Sequence, residues 1–484
     1  MPAVERCEDP VTIRQRQPLG VWIGAWVAFA SCVASSAPVE INGNVNIAPK
    51  SPTGSDATKD SLTPAQMRED LSYLRNSWAP RDKSFSANQH VEFDKILDGV
   101  LAHVDTITPA DFELEIARAV AVSRNGHTLS VLGPVFHGLP FEMEWFADGL
   151  YITRVEPQFA QILGGKIEKI GALTPEQALA RTAPFISGTD QRILAMSPSY
   201  LRLLEVLHRI GASPDARSVE LSIRLRDGTL RDLIMKPAHS PNPDPGWGPW
   251  LSLIPAEGNE PGQWLQVLDS VAQRPPTYRT PVDVSAEWLG DHDRVLYVRS
   301  NRIFSADPTK AFDIPVKFFN ILQHQVVERR PRCVIVDLRF NAGGNYFNAV
   351  LFAEALPRLL PPRGKVFVLV GRNTFSAAIV TAALLKEYGG QRVILVGETM
   401  GDASHFWAEG GELVLPNSKM IVTYASAFHD LAHGCSNPER CYWGDVAVGL
   451  KAVSLEPEIR IVPTFAEYAA GHDPALDQVL SVAK

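Results

Sequence analysis

The sequence predicts a mixed α/β protein of several domains. After Asp291 the continuous apolar runs RVLYVRS, CVIVDLRF, KVFVLVG and RVILVG alternate with helical stretches near residues 311–328, 348–359 and 376–388. Such alternation marks a sheet whose strands are covered on both faces. Upstream, residues 136–238 change to short alternating runs, LPFEMEWF, GLYITRV, GKIEKI and VELSIRLRDGTLRDLIM. The last of these reads as two strands about Asp227-Gly228, a strong hairpin signal. A length of 484 residues also exceeds one ordinary domain of roughly 100–200 residues.

Taken in order, residues 1–37 carry Arg14 and Arg16 and then the apolar run Leu19 to Ala34, LGVWIGAWVAFASCVA. Its 16 residues fall short of the ~20 that span a bilayer and are followed by small residues, which suits an export signal. A periplasmic or secreted protein is therefore expected. The alternative is an uncleaved anchor through residues 19–34, the only tie to a membrane. Residues 38–62, rich in Pro, Asn, Ser and Thr, read as a tether. A helical region, 63–135, opens on the start signal Thr63-Pro64 and places Phe93, Ile96, Leu97 and Val100 on one face. Residues 136–238 form the β-rich module. HSPNPDPGWGPW begins a Pro/Gly-rich linker, 239–290, in which a regular helix or central strand is unsupported. Residues 291–484 form the last domain.

Composition excludes some functions. The hydrophobic share of 45% and charged share of 21% are those of a soluble globular chain. A net charge of −8 argues against nucleic-acid binding, which needs many cations to displace counterions. Neither phosphate-loop nor dinucleotide glycine motifs occur, and no cofactor or metal is expected. Of five cysteines, Cys7 and Cys32 lie in the leader and Cys333 in a buried strand. Cys435 and Cys441 flank a Ser-Asn-Pro turn and are expected to pair in an oxidising compartment. A metal clip that adds His429 and His433 is the alternative.

Chemistry concentrates in two segments. In VFVLVGRNTFSAAIVTAALLKEY a buried strand passes through a polar turn to a helix beginning at Ser376. Unpaired amides and the dipole at a helix start favour developing negative charge, although most serines there are plain caps. In CVIVDLRFNAGGNYF a strand runs into Asn341-Ala342-Gly343-Gly344, and paired glycines let backbone approach a ligand closely. If the strands are parallel, both loops open on one sheet edge.

The ordered motifs DLRFNAGG, GRNTFSAA, VGETMG and LEPEIRIVPTFAEYAAGHDPAL together resemble the tail-specific (carboxyl-terminal processing) protease and tricorn-core family, which includes interphotoreceptor retinoid-binding modules. The resemblance implies a ClpP/crotonase-like α/β core and serine-peptidase activity on a polypeptide substrate. It makes Ser376 the nucleophile, and Gly343, Gly344 and the Ala377 amide the oxyanion hole. ILGGKIEKIGALTPEQAL, from Ile162, resembles part of a degenerate PDZ domain, which would present or gate the polypeptide. In the lysine position of the bacterial members stands Asp402, so a Ser-Lys dyad is unsupported. Lys386 lies too far along the helix to replace it. Asn125-Gly126-His127-Thr128 resembles the histidine motif of the tricorn-like branch, which makes His127 the expected general base, with His405 as the alternative. Glu398, Asp402 and Glu409 are candidates to orient the imidazole. A catalytically inactive binding protein on the same fold is the competing reading. Trp247, Trp250 and Trp264 are expected to pack the linker, and Asp337 with Arg339 to form a structural pair beneath the glycine loop.

Overall fold

Thr63 and Ser86 start their helices with the same device. Each hydroxyl accepts the backbone N–H of a glutamine three residues on, Gln66 or Gln89, whose amide oxygen accepts the cap N–H in return. The computed structural model describes residues 62–238, 249–255, 263–289, 295–305, 307–452 and 454–482, all within one compact unit. The expected leader, the tether up to 61, Cys7, Cys32 and Trp247 lie outside the described residues.

Helices α1 (Pro64–Tyr73), α2 (Ala87–His103) and α3 (Pro109–Ala121) come first. Their apolar faces, with Leu71, Trp78, Phe93, Leu97, Phe112 and Ile116, share a core with Leu415, Met420 and Val422 from the far end of the chain. Trp78 Nε1 donates to the carbonyl of Thr423 at 3.0 Å. The helical region is thus completed by a distant hairpin. Strand β1 (Ser130–Val131) pairs with that hairpin directly.

The β-rich module contains β2 (Phe141–Phe146), β3 (Gly149–Val155), β4 (Lys166–Ile170), helices α4 (Pro175–Thr182), α5 (Asp190–Leu201) and α6 (Leu204–Arg209), then β5 (Val219–Arg224) and β6 (Leu230–Met235). Its strands are antiparallel in chain order, with β7 (Leu265–Gln266) added to β3. Gly228 supplies the positive φ of 86° at the β5–β6 turn. Beyond it, Trp250 is 1% exposed and stacks on Phe340 at 4.8 Å, the packing expected of it.

The last part holds β8 (Val284–Leu289), β9 (Val295–Ser300), α7 (Asp313–Asn320), β10 (Cys333–Asp337), α8 (Phe347–Leu359), β11 (Lys365–Val370), α9 (Ala377–Gly389) and β12 (Val393–Gly397). Two antiparallel pairs follow: β13 (His405–Ala408) with β16 (Ala427–Asp430), and β14 (Gly411–Val414) with β15 (Ile421–Tyr424). Helix α10 (Trp443–Val448), β17 (Ile459–Arg460) and α12 (Pro474–Val482), with α11 (Phe465–Ala469) between them, close the chain. The sheet order is β17-β12-β11-β10-β9-β8, parallel except for β8. The loops after β10, β11 and β12 therefore open on one edge, where sites on such sheets form. The mixed α/β class expected from the sequence is the one observed.

Cys435 and Cys441 form a disulfide, which leaves neither thiol for the metal clip. Among the described residues no helix is long and apolar enough to cross a membrane.

Candidate active site

Ser376 joins β11 to α9 with φ 54° and ψ −127°, a backbone conformation that L residues rarely adopt. The turn is held in place from several sides. Thr374 Oγ1 donates to the Leu338 carbonyl at 2.8 Å and accepts the Gly371 N–H at 3.0 Å. Phe375 N–H donates to the Asn341 carbonyl at 3.0 Å, and Gly401 N–H to the Thr374 carbonyl at 3.0 Å. The serine side chain caps no helix amide, so the ordinary structural use of a serine at this position is absent. It is half-buried, and the Ala377 N–H beside it donates to no atom among the described residues.

Gly343 and Gly344 have φ of 111° and 132°. A Cβ on Gly343 would lie 2.7 Å from Ser376 Cβ and 3.1 Å from the Ala377 nitrogen, so the glycine loop touches the serine. The Gly343 N–H is engaged by Asn341 Oδ1 at 2.9 Å. Of the three amides expected to hold an oxyanion, those of Gly344 and Ala377 are unengaged among the described residues, while Gly343 provides room. Beneath the loop Arg339 bridges Asp337 at 2.6 Å and Asp473 at 2.7 Å, the expected structural pair extended by one acid.

His127 lies in a turn fixed by its neighbours. Thr128 Oγ1 donates to Asp82 Oδ2 at 2.6 Å, Thr423 Oγ1 to the His127 carbonyl at 2.7 Å, and Trp407 N–H to Asn125 Oδ1 at 3.2 Å. Its ring stacks on Phe375 at 4.5 Å and on Phe406 at 5.2 Å, which puts it beside the residue preceding Ser376. Nδ1 is 3.8 Å from Asp402 Oδ2, yet neither imidazole nitrogen nor that oxygen makes a hydrogen bond. Serine and histidine are thus brought to one region without a direct bond between them. Burial depresses the His127 pKa to about 3, and the His429 and Arg192 charges add to this. Burial raises Asp402 to about 7 against the pull of the Ala403 N–H and Arg192.

Of the three acids considered from sequence, Asp402 faces His127, whereas Glu398 lies 3.7 Å from Arg372 and Glu409 3.5 Å from His429. His405 does not face Ser376. It is exposed on β13, and Phe406, one residue on, takes the inward side that alternation gives it. Lys386 is committed to Glu458 and the Val393 carbonyl.

Several residues at the site were not assigned to it from the sequence. The guanidinium of Arg192, on α5, lies 4.2 Å over the Phe375 ring. Phe406 stacks on His429 at 4.8 Å, and His429 Nδ1 is 2.7 Å from Asp445 Oδ2. Burial opposes charge on His429, but Asp445 and Glu409 raise it to about 9. In the turn before Ser376, Arg372 reaches into the module, donating to the Trp145 carbonyl and lying 3.5 Å from Glu144.

The fold is shared with solved protein structures. Mature CPAF shares it with a TM-score of 0.53 and 14% identity, covering 87% of this chain and 97% of its own. CPAF complexed with lactacystin gives 0.52 and 14%, over 87% and 98%. The photosystem II D1 C-terminal processing protease matches with a TM-score of 0.35 and 14% identity, over 85% and 98%. At 14% identity the likeness to CPAF is one of fold. No protein-family model matches the chain, and neither does any curated protein.

Proposed function

We propose that the chain is an exported serine peptidase that cleaves polypeptides through an acyl-enzyme. The observation that carries this is Ser376 itself: a strained, half-buried serine that caps nothing, touching a glycine loop and followed by an unengaged helix amide. Ser376 Oγ attacks the scissile carbonyl carbon while His127 takes its proton. The amides of Ala377 and Gly344 hold the oxygen that gains charge, an interaction worth several kcal/mol at such sites. The C–N bond then breaks, His127 protonates the departing amine, and water releases the acid by the reverse sequence. Asp402 is the orienting acid. Closing its 3.8 Å gap to Nδ1 would lift the basicity of the buried ring. The module at 136–238, read as PDZ-like, presents the substrate chain.

A fluorophosphonate probe tests the reading. Labelling confined to Ser376 and lost in Ser376→Ala supports it, and a folded chain that stays unlabelled sinks it. The second reading, a non-catalytic binding protein, draws on the missing hydrogen bond between His127 and the serine.

A further inference from the structure

We propose that the N-terminal edge of the parallel sheet, opposite the edge that holds Ser376, is a docking surface for an anionic phospholipid membrane. The proposal is independent of the peptidase reading. Arg332 immediately precedes β10, Lys365 opens β11 and Arg392 immediately precedes β12. These strands are parallel, with Cys333 beside Lys365 and Val366 beside Val393, so the three positions fall in one row, about 5 Å from strand to strand. Arg363 lies on the turn into β11, and the Lys365 N–H donates to the Arg332 carbonyl at 3.2 Å, which ties that turn to the row. Arg330, two residues before Arg332, adds a fifth cation.

None of the five side chains has an ion pair or hydrogen bond among the described residues, and all but the half-buried Arg392 are exposed. Acids on the neighbouring helices are engaged elsewhere: Glu328 lies 3.0 Å from His324, and Glu354 lies 2.6 Å from Arg358. A row of unneutralised cations on a chain of net charge −8 runs against the sign of the whole. Two apolar side chains stand among them. Val327, three residues before Arg330, is 42% exposed, and Leu359, four residues before Arg363, is 39% exposed. The segments that carry them, Ile321–Val327 and α8, pack on one another. Head-group phosphates pair with the cations, while the valine and leucine enter the boundary below the head groups. A nucleic acid duplex would answer the charge and leave the apolar groups in water. A membrane docked here lies a strand length, about 17–20 Å, from the loops of the candidate site, which then face away from it. It is a tie to the membrane separate from residues 19–34.

The test uses the full chain and co-sedimentation with vesicles of phosphatidylcholine alone or with one-third phosphatidylglycerol. Residues 19–34 carry no charge, so binding through them is nearly equal for both vesicles, and the readout is the ratio of the two partition coefficients. The parent is expected to favour the anionic vesicles by about 30-fold or more. Arg332→Glu, Arg363→Glu and Lys365→Glu combined are expected to bring that ratio to within about threefold of one, and Arg332→Lys with Arg363→Lys to keep it. Val327→Ser with Leu359→Ser is expected to weaken binding to the anionic vesicles about 10-fold and to leave binding to a short DNA duplex unchanged. A parent ratio near one overturns the proposal, as does an undiminished ratio in the charge-reversed variant. Duplex binding as tight as vesicle binding, together with vesicle binding indifferent to the two serines, overturns the membrane in favour of a nucleic acid. Should the charge-reversed variant not fold, glutamine at the same three positions decides in its place.

Discussion

Gly343 and Ser376 are in contact, with 2.7 Å between the Cβ position of one and the Cβ of the other. Gly343→Ala must therefore push the serine turn away or move the loop, and its φ of 111° adds backbone strain. Loss of about 2 kcal/mol or more in a urea melt is expected, together with at least a 100-fold fall in fluorophosphonate labelling rate. Retention of both values would show that the two loops are not in register.

Ser376→Ala is expected to lower peptide hydrolysis by about 10³- to 10⁶-fold with little change in melting temperature. Ser376→Gly goes further. It removes the strain of φ 54° and is expected to melt higher than the parent while being equally inactive. A lower melting temperature for the glycine variant would count against stored strain at this residue.

Asp402 and His127 move in opposite directions with pH. Burial raises Asp402 from 3.8 to about 7, so its contribution to stability is full below about pH 4 and is lost as pH climbs through 7. Burial lowers His127 from 6.5 to about 3, so its contribution is present above about pH 6.5 and is lost as pH falls toward 3. Asp402→Asn is expected to melt a few degrees above the parent at pH 8, match it below about pH 4, and lose about 10²- to 10⁴-fold in kcat. Parallel melting curves at the two pH values would refute the buried-acid assignment.

Arg372 ties the Ser376 turn to the module through Trp145 and Glu144, and it is 7% exposed. Arg372→Met leaves Glu144, which burial already raises to about 7, without its cation. A loss of about 3 kcal/mol is expected in urea unfolding, with reduced labelling of Ser376 even where the chain is folded. An unchanged labelling rate would mean that the module does not set the turn.

Reducing the Cys435–Cys441 bond, or Cys435→Ser, is expected to cost about 2 kcal/mol because the loop it closes is short. Thermal melts with and without reductant measure this.

Much of the site was legible in the sequence because its signals are local. The runs CVIVDL and VFVLV are apolar over whole strand lengths, and the positions of Gly343, Gly344 and Ser376 follow from the turns after those strands. His405 was misplaced because GDASHFW gave no sign of where β13 begins, and a one-residue choice of register decides which side chain turns inward. Arg192 was invisible for a different reason, and His429 was considered only for a metal clip. Their neighbours, Phe375 and Phe406, lie far away in sequence, and no spacing rule links an arginine on one helix to a ring on a distant loop. The shared core between Phe93 and Val422 likewise depends on tertiary packing alone.

The imidazole at 127 and the alcohol at 376 come from parts of the polypeptide separated by about 250 residues, with an entire module between them. A ribosome delivering this chain from its N-terminus would release His127 long before Ser376. Until the final third has emerged and its strands have closed, the two side chains have no common region to share.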